Sequence, residues 1–215
     1  MRWSISRTLD AVLVVCAVAT TAAVISRGRS PQRLELSDAM RPVTGWKEDF
    51  TLGRQIGSAA GPYRLLVWTD YQCPACKKFE GEVHRLRSRF GDSIAVAYRF
   101  YPLDVHPLAF RAAVAAECAR VQGRFEPMHN ALFAARLSGD SLAVAALAAE
   151  AGIENEHSFR MCLRDSAIAA SVRADIARGK ALDLHGTPSL EIGDKIATGG
   201  RSAEELIPLL RSARR

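Results

Sequence analysis

Cys73-Pro74-Ala75-Cys76 stands between an apolar run, Leu65-Leu66-Val67-Trp68-Thr69, and a stretch of helical period from Ala75 to Phe90. No other feature restricts the fold of this chain as much. The run is short and lies between Gly61-Pro62 and Asp70, as a buried central strand would. The helix stops at Gly91-Asp92, so its start falls on the cysteines. A thiol at a helix N-terminus faces unpaired N–H groups and the positive end of the helix dipole, which favours its thiolate. Two intervening residues let the second sulfur reach the first from one turn of the same helix. Pro74 suits that turn, where its missing N–H costs nothing. The pattern predicts an exposed, nucleophilic Cys73 and a more buried Cys76 that resolves a mixed disulfide. A structural disulfide and half of a zinc site are the competing readings. Zinc needs a second matched pair of ligands, which the sequence does not supply, so neither a metal nor another cofactor is expected.

Strand character continues from Ser93 to Phe100, with Ile94, Val96 and Tyr98 on one side and Ala95, Ala97 and Arg99 on the other. From His106 to about Ala181 the chain becomes alanine-rich and helical. Stretches are expected at Phe125–Ala135, Ser141–Ala151, Glu156–Leu163 and Ala167–Leu182. Phe110, Val114, Cys118 and Val121 share one helical face, expected to be core. Strands return at Ser189–Ile192 and Lys195–Ala197 around Gly193-Asp194, and a last helix is expected from Ala203 to Ser212. Strand, helix, strand, helical block, strand pair and helix make an α/β sheet with a helical insertion.

Ala11 to Ile25 carries no charge and follows Arg2 and Arg7. Such a run is a secretory signal peptide or a signal anchor, over residues 1–25. Its 15 residues fall short of the roughly 20 that span a bilayer. Arg27 and Arg29 just beyond it favour an uncleaved anchor over a cleaved signal. Residues 26–45 read as a polar spacer and 46–213 as the folded part. The net charge of +6 is mostly local: five arginines against Asp10 put +4 into the first 33 residues. No basic face is left for nucleic acid, and aromatics at 7% argue against a base-stacking surface. Export places the remainder in an oxidising, extracytoplasmic compartment, the periplasm or the outer face of the inner membrane. There Cys118 and Cys162, both on apolar helical faces, are either two buried thiols or a second, structural disulfide. The even count of four exported cysteines favours the pair.

Thr69-Asp70-Tyr71-Gln72-Cys73-Pro74-Ala75-Cys76 resembles the active-site turn of the DsbA-like branch of the thioredoxin superfamily. Gly186-Thr187-Pro188, opening a strand, resembles the cis-proline loop of that superfamily. Pro102-Leu103 with His106, and Gly123-Arg124-Phe125 leading to His129 and Leu132-Phe133, also resemble this branch. The likeness covers roughly residues 46 to 213. It implies a thioredoxin fold interrupted by a helical domain at about 106–181, with Pro188 cis and packed against Cys73 and Cys76. It implies a Thr187 backbone that pairs with an extended substrate peptide. The implied activity is thiol:disulfide exchange on exported cysteine-containing proteins, with a membrane redox partner. The oxidase direction is favoured over reductase or isomerase, since nothing resembles an isomerase dimerisation domain. Two positions depart from the family. Val67 stands where many relatives place a buried acid, leaving Asp70 as a substitute or as a helix-entry residue. Ala75 stands where strongly oxidising relatives place a histidine, which makes the couple less oxidising. His185, just before the proline loop, is a further candidate for active-site support. His106 and His129 read as packing or capping residues, and Lys77 and Lys78 as solvated. A redox-inert peptide-binding or assembly module is the competing class.

Overall fold

The computed structural model describes residues 40–58, 61–135, 137 and 143–214. The expected signal or anchor over 1–25 and the spacer up to residue 39 lie outside these residues. So do Ser141 and Leu142, at the start of one expected helix.

Among the described residues six strands form one mixed sheet: β1 (Arg41–Pro42), β2 (Arg54–Gly57), β3 (Tyr63–Thr69), β4 (Ile94–Phe100), β5 (Ser189–Ile192) and β6 (Lys195–Thr198). Their order across the sheet is β1-β6-β5-β3-β4-β2. β3 and β4 are parallel, from Tyr63 opposite Ile94 to Thr69 opposite Phe100, and the remaining pairs are antiparallel. The crossover between the parallel pair is a long helix that starts at the cysteine motif. Helices cover both faces of the sheet, which is why β3 is apolar on both sides. Leu65 and Val67 pack with Cys76, Phe79, Val83 and Leu86 on one face. Leu66 and Trp68 pack with Phe50, Tyr101, Leu182 and Leu184 on the other.

The helices are α1 (Trp46–Leu52), α2 (Pro74–Phe90), α3 (Ala109–Val121), α4 (Phe125–Ala134), α5 (Val144–Glu150), α6 (Glu156–Cys162), α7 (Ser166–Ala181) and α8 (Ala203–Ser212). Helices α3 to α7 form the insertion between β4 and β5, and α8 packs on α2. The apolar stripe assigned to α3 needs correction. Val121 is 59% exposed and Phe110 only half-buried, whereas Ala112, Ala113, Ala115, Ala116, Cys118 and Ala119 are buried. Small side chains let neighbouring helices close around α3, so its burial is not confined to one large-residue face.

Residues 40–45, placed in the spacer by their polarity, belong to the fold. Met40 and Val43 are buried, and Arg41 and Pro42 pair with Ile196 and Lys195. A two-residue strand containing proline has no alternation to detect. Strand β2 has no apolar signature either, since its first residue, Arg54, is charged and yet buried. Its guanidinium donates to Glu117 at 2.6 Å and to Asp175. Arg99 reaches Asp49 at 2.6 Å and Asp175 at 2.8 Å, and Arg178 reaches Asp49 at 2.6 Å. This charged layer joins α1, β2, β4, α3 and α7.

Cys118 and Cys162 are joined by a disulfide (S–S 2.03 Å) that ties α3 to the end of α6. Closing a segment of 44 residues restricts the unfolded chain. Replacing both cysteines by alanine is expected to lower stability in urea titration by about 3–4 kcal/mol. A loss below about 1 kcal/mol would contradict a bracing role.

Glu191 on β5 is buried on the face opposite the cysteines and accepts a hydrogen bond from Trp68 Nε1 at 2.6 Å. Burial raises its pKa to about 7, outweighing the Trp68 hydrogen bond. The folded state therefore holds a proton that the unfolded chain releases at lower pH. Its stability contribution is complete below the ordinary carboxylate range and declines as pH rises to about 7. Glu191→Gln is expected to remove that decline. It should gain roughly 3 kcal/mol above pH 7 relative to pH 4, compared with the parent chain. Parallel stability–pH curves for the two chains would contradict the assignment.

Candidate active site

Strand β3 ends at Thr69, and Cys73 is the N-cap of α2, with Pro74 at the first helical position. Asp70 sets up this entry. Its carbonyl accepts the Cys73 N–H at 3.1 Å and its Oδ1 accepts the Gln72 N–H at 2.7 Å. The first turn of α2 contains no acidic residue to repel a thiolate. Opposite it, the Thr187–Pro188 peptide bond is cis, and Cys73 Sγ lies 3.3 Å from the Thr187 carbonyl oxygen. Cys73 is thus less open than the motif predicts, at 7% exposure, because the proline loop lies over it. Cys76 is deeper, at 1%. Both are free thiols.

The pair is electrostatically divided. The Cys73 pKa is lowered to about 5, chiefly by a hydrogen bond from the Cys76 thiol. Burial opposes this, while the Thr187 side chain and the N–H groups of Cys76 and Ala75 add to it. The buried Thr187 hydroxyl has no other hydrogen-bond partner among the described residues, so it is free to turn to the sulfur. Burial pushes the Cys76 thiol far up, and its hydrogen bond to Cys73 adds to that. One sulfur is a thiolate near neutral pH that keeps a narrow opening to solvent, and the other keeps its proton beneath it. This arrangement suits nucleophilic attack by Cys73 and later resolution by Cys76.

The surrounding residues hold the turn in place. Asp70 is buried and its Oδ2 accepts from the Leu103 N–H at 2.8 Å and lies 2.7 Å from His106 Nδ1. Of its two expected roles, helix entry is the one its contacts describe. Gln72 accepts from the Leu108 N–H and donates to the Leu137 carbonyl, which clamps the turn to the insertion. Tyr71 OH lies 3.0 Å from His129 Nδ1, and His129 Nε2 lies 3.3 Å from Glu80 Oε2. Glu80, one turn after Cys76, also accepts from Tyr98 OH at 2.8 Å. Lys77 donates to the Ala134 carbonyl and Lys78 is exposed. Val67 is fully buried in the apolar face. His185 is not brought to the sulfurs: it sits in solvent, 3.3 Å from Asp183. Gln72, Tyr71 and Glu80 carried no sequence signal of their own beyond their closeness to the motif. Among the described residues no cluster of histidine, cysteine or acidic side chains has the make-up of a metal site.

A family model described as thioredoxin matches residues 51–211. The Na(+)/H(+) antiporter NhaA 1 of Mycolicibacterium gilvum is 33% identical over 161 residues, 74% of this chain and 26% of that protein. The chain thus spans about a quarter of the length of the curated relatives it matches. A thioredoxin-like oxidoreductase from Silicibacter pomeroyi superposes with a TM-score of 0.69 at 26% identity, over 78% of this chain and 96% of that one. The thiol-disulfide exchange protein alpha-DsbA2 of Wolbachia pipientis shares the fold, with a TM-score of 0.67 at 19% identity, over 78% and 91% of the two chains.

Proposed function

The chain belongs to the thioredoxin family, and from that premise we propose that it is an exported thiol:disulfide oxidoreductase using Cys73 and Cys76 in the oxidase direction. The observation that carries this reading is the divided pair beside Thr187 and cis-Pro188: Cys73 near 5, Cys76 far above it. In the oxidised enzyme a substrate thiolate attacks Cys73 Sγ. The Cys73–Cys76 bond breaks, and Cys76 leaves and takes a proton. A second substrate thiolate attacks its partner sulfur in the mixed disulfide and releases Cys73 as a thiolate. The substrate loses two electrons and two protons, and the enzyme gains the electrons. A membrane redox partner then accepts them and restores the disulfide. Exported cysteine-containing proteins are the substrate class, aligned along the Thr187 backbone as an added strand.

Two features support export. One is the uncharged run after Arg2 and Arg7. The other is the Cys118–Cys162 disulfide, a bond that oxidising compartments sustain. The direction rests on thiolate stability, because a couple whose reduced form is stabilised is the stronger oxidant. A first cysteine near 5 lies between the roughly 7 of thioredoxin and the roughly 3.5 of strong oxidases. Equilibrating the full chain with glutathione tests this. A reduction potential above about −200 mV is expected, and a value near −270 mV would reverse the direction to electron donation.

A further inference from the structure

The segment beside the cis-proline loop carries a cation that has no ion-pair partner among the described residues. Gly199 donates its N–H to the Pro188 carbonyl at 2.7 Å, so the segment after β6 runs beside the cis-proline loop. Gly200 then lies against α2, where an added Cβ would come within 3.1 Å of the Phe79 ring. Arg201 follows. Its Nη1 is 3.4 Å from the place a Cβ on Gly199 would occupy, so the guanidinium folds back over the residue bonded to Pro188. Arg201 Nε is buried without an acceptor, and Nη1 reaches only the Gly200 carbonyl, at 3.5 Å. That distance is beyond the usual hydrogen-bond range. Among the described residues Arg201 takes part in no ion pair. Nearby acids are engaged elsewhere: Glu205 closes the capping box with Ser202, and Glu82 accepts from the Ala203 N–H and from Arg85. A half-buried guanidinium with idle donors matches a planar carboxylate.

Resting on the exchange reading above, we propose that Arg201 is a specificity-determining residue that holds an acidic side chain of the substrate close to its reacting cysteine. Arg201 takes no part in the electron transfer. It places the peptide so that the substrate sulfur meets Cys73. The partner chemistry is therefore an extended dithiol segment bearing Asp or Glu beside a cysteine.

The test uses the oxidised full chain and three dithiol peptides with capped ends, carrying Glu, Gln or Lys next to one cysteine. Capping leaves the side chain as the peptide's only source of carboxylate. Each rate of thiol loss is divided by that peptide's rate with a small-molecule disulfide, which removes effects of the neighbour on thiol acidity. The Glu peptide is expected to exceed the Gln peptide by about threefold to tenfold, with Lys below both. The preference should shrink in high salt. Arg201→Gln should bring the Glu-to-Gln ratio to about one, and Arg201→Lys, which keeps the charge but not the planar fork, should keep only part of it. A ratio of one in the parent chain, or an unchanged ratio in Arg201→Gln, would overturn the proposal. Oxidation of none of the three peptides would overturn the exchange reading and this inference with it.

Discussion

Replacing Cys73 by serine is expected to reduce dithiol oxidation and insulin reduction by at least about a thousandfold, because a hydroxyl at that position is neither ionised nor a leaving group. The position offers no substitute nucleophile: Cys76 is at 1% exposure and holds its proton under the pull of burial. Cys76→Ala should behave differently. Its Cys73 still attacks but has no resolving partner, so mixed disulfides with substrates accumulate and are visible on non-reducing gels. It also loses the hydrogen bond that contributes most to lowering Cys73, so attack should slow at pH 6 more than at pH 9. A redox-inert binding module gives the opposite pattern, with partner capture unchanged in Cys73→Ser and no trapped species in Cys76→Ala.

The second large effect lies in the charged interior layer. Asp175 on α7 accepts from Arg54, from Arg99 Nε at 2.8 Å and from the Phe100 N–H at 3.0 Å, all in the interior. Removing the carboxylate leaves two buried guanidinium groups short of a partner and a backbone donor unsatisfied. Breaking a buried pair from one side costs about 3–5 kcal/mol, a large share of the roughly 5–15 kcal/mol that holds a domain together. Asp175→Ala should therefore melt at a much lower urea concentration or fail to accumulate. Glu156→Ala is the control. Its partner Arg160 is 2.9 Å away on the exposed face of α6, and its loss should cost less than about 1 kcal/mol. Equal effects from the two substitutions would show that the interior layer carries no special weight.

These two sites differ in how far sequence alone reveals them. The helix start at Cys73 was legible because its determinants are local: an apolar strand, a proline suited to a first turn and a helical period behind it. The strand pair Ser189–Ile192 and Lys195–Thr198 was legible for the same reason, through the turn between them. Asp175, Arg54 and Arg99 carry no local pattern that marks a buried charge, and only the packing of α7 on β2 and β4 makes them interior. Burial of α3 was misjudged because alanine packs on any side of a helix without an apolar stripe. His185 adjoins the proline loop in sequence yet lies beside Asp183 in solvent, in the irregular turn between α7 and β5. The near-closure of Cys73 depends on Thr187, 114 residues later, and no local pattern contains it.

One property underlies this chemistry, a first cysteine kept ionised by its helix start, its partner thiol and Thr187. Alkylation of the reduced full chain with iodoacetamide, followed from pH 3 to pH 10 with the modified residue identified by mass spectrometry, measures that property directly. The predicted result is a Cys73 rate half-maximal near pH 5 and flat from pH 7 upward, with Cys76 unmodified throughout. A Cys73 rate still climbing through pH 8.5, as for an ordinary thiol, would contradict the account.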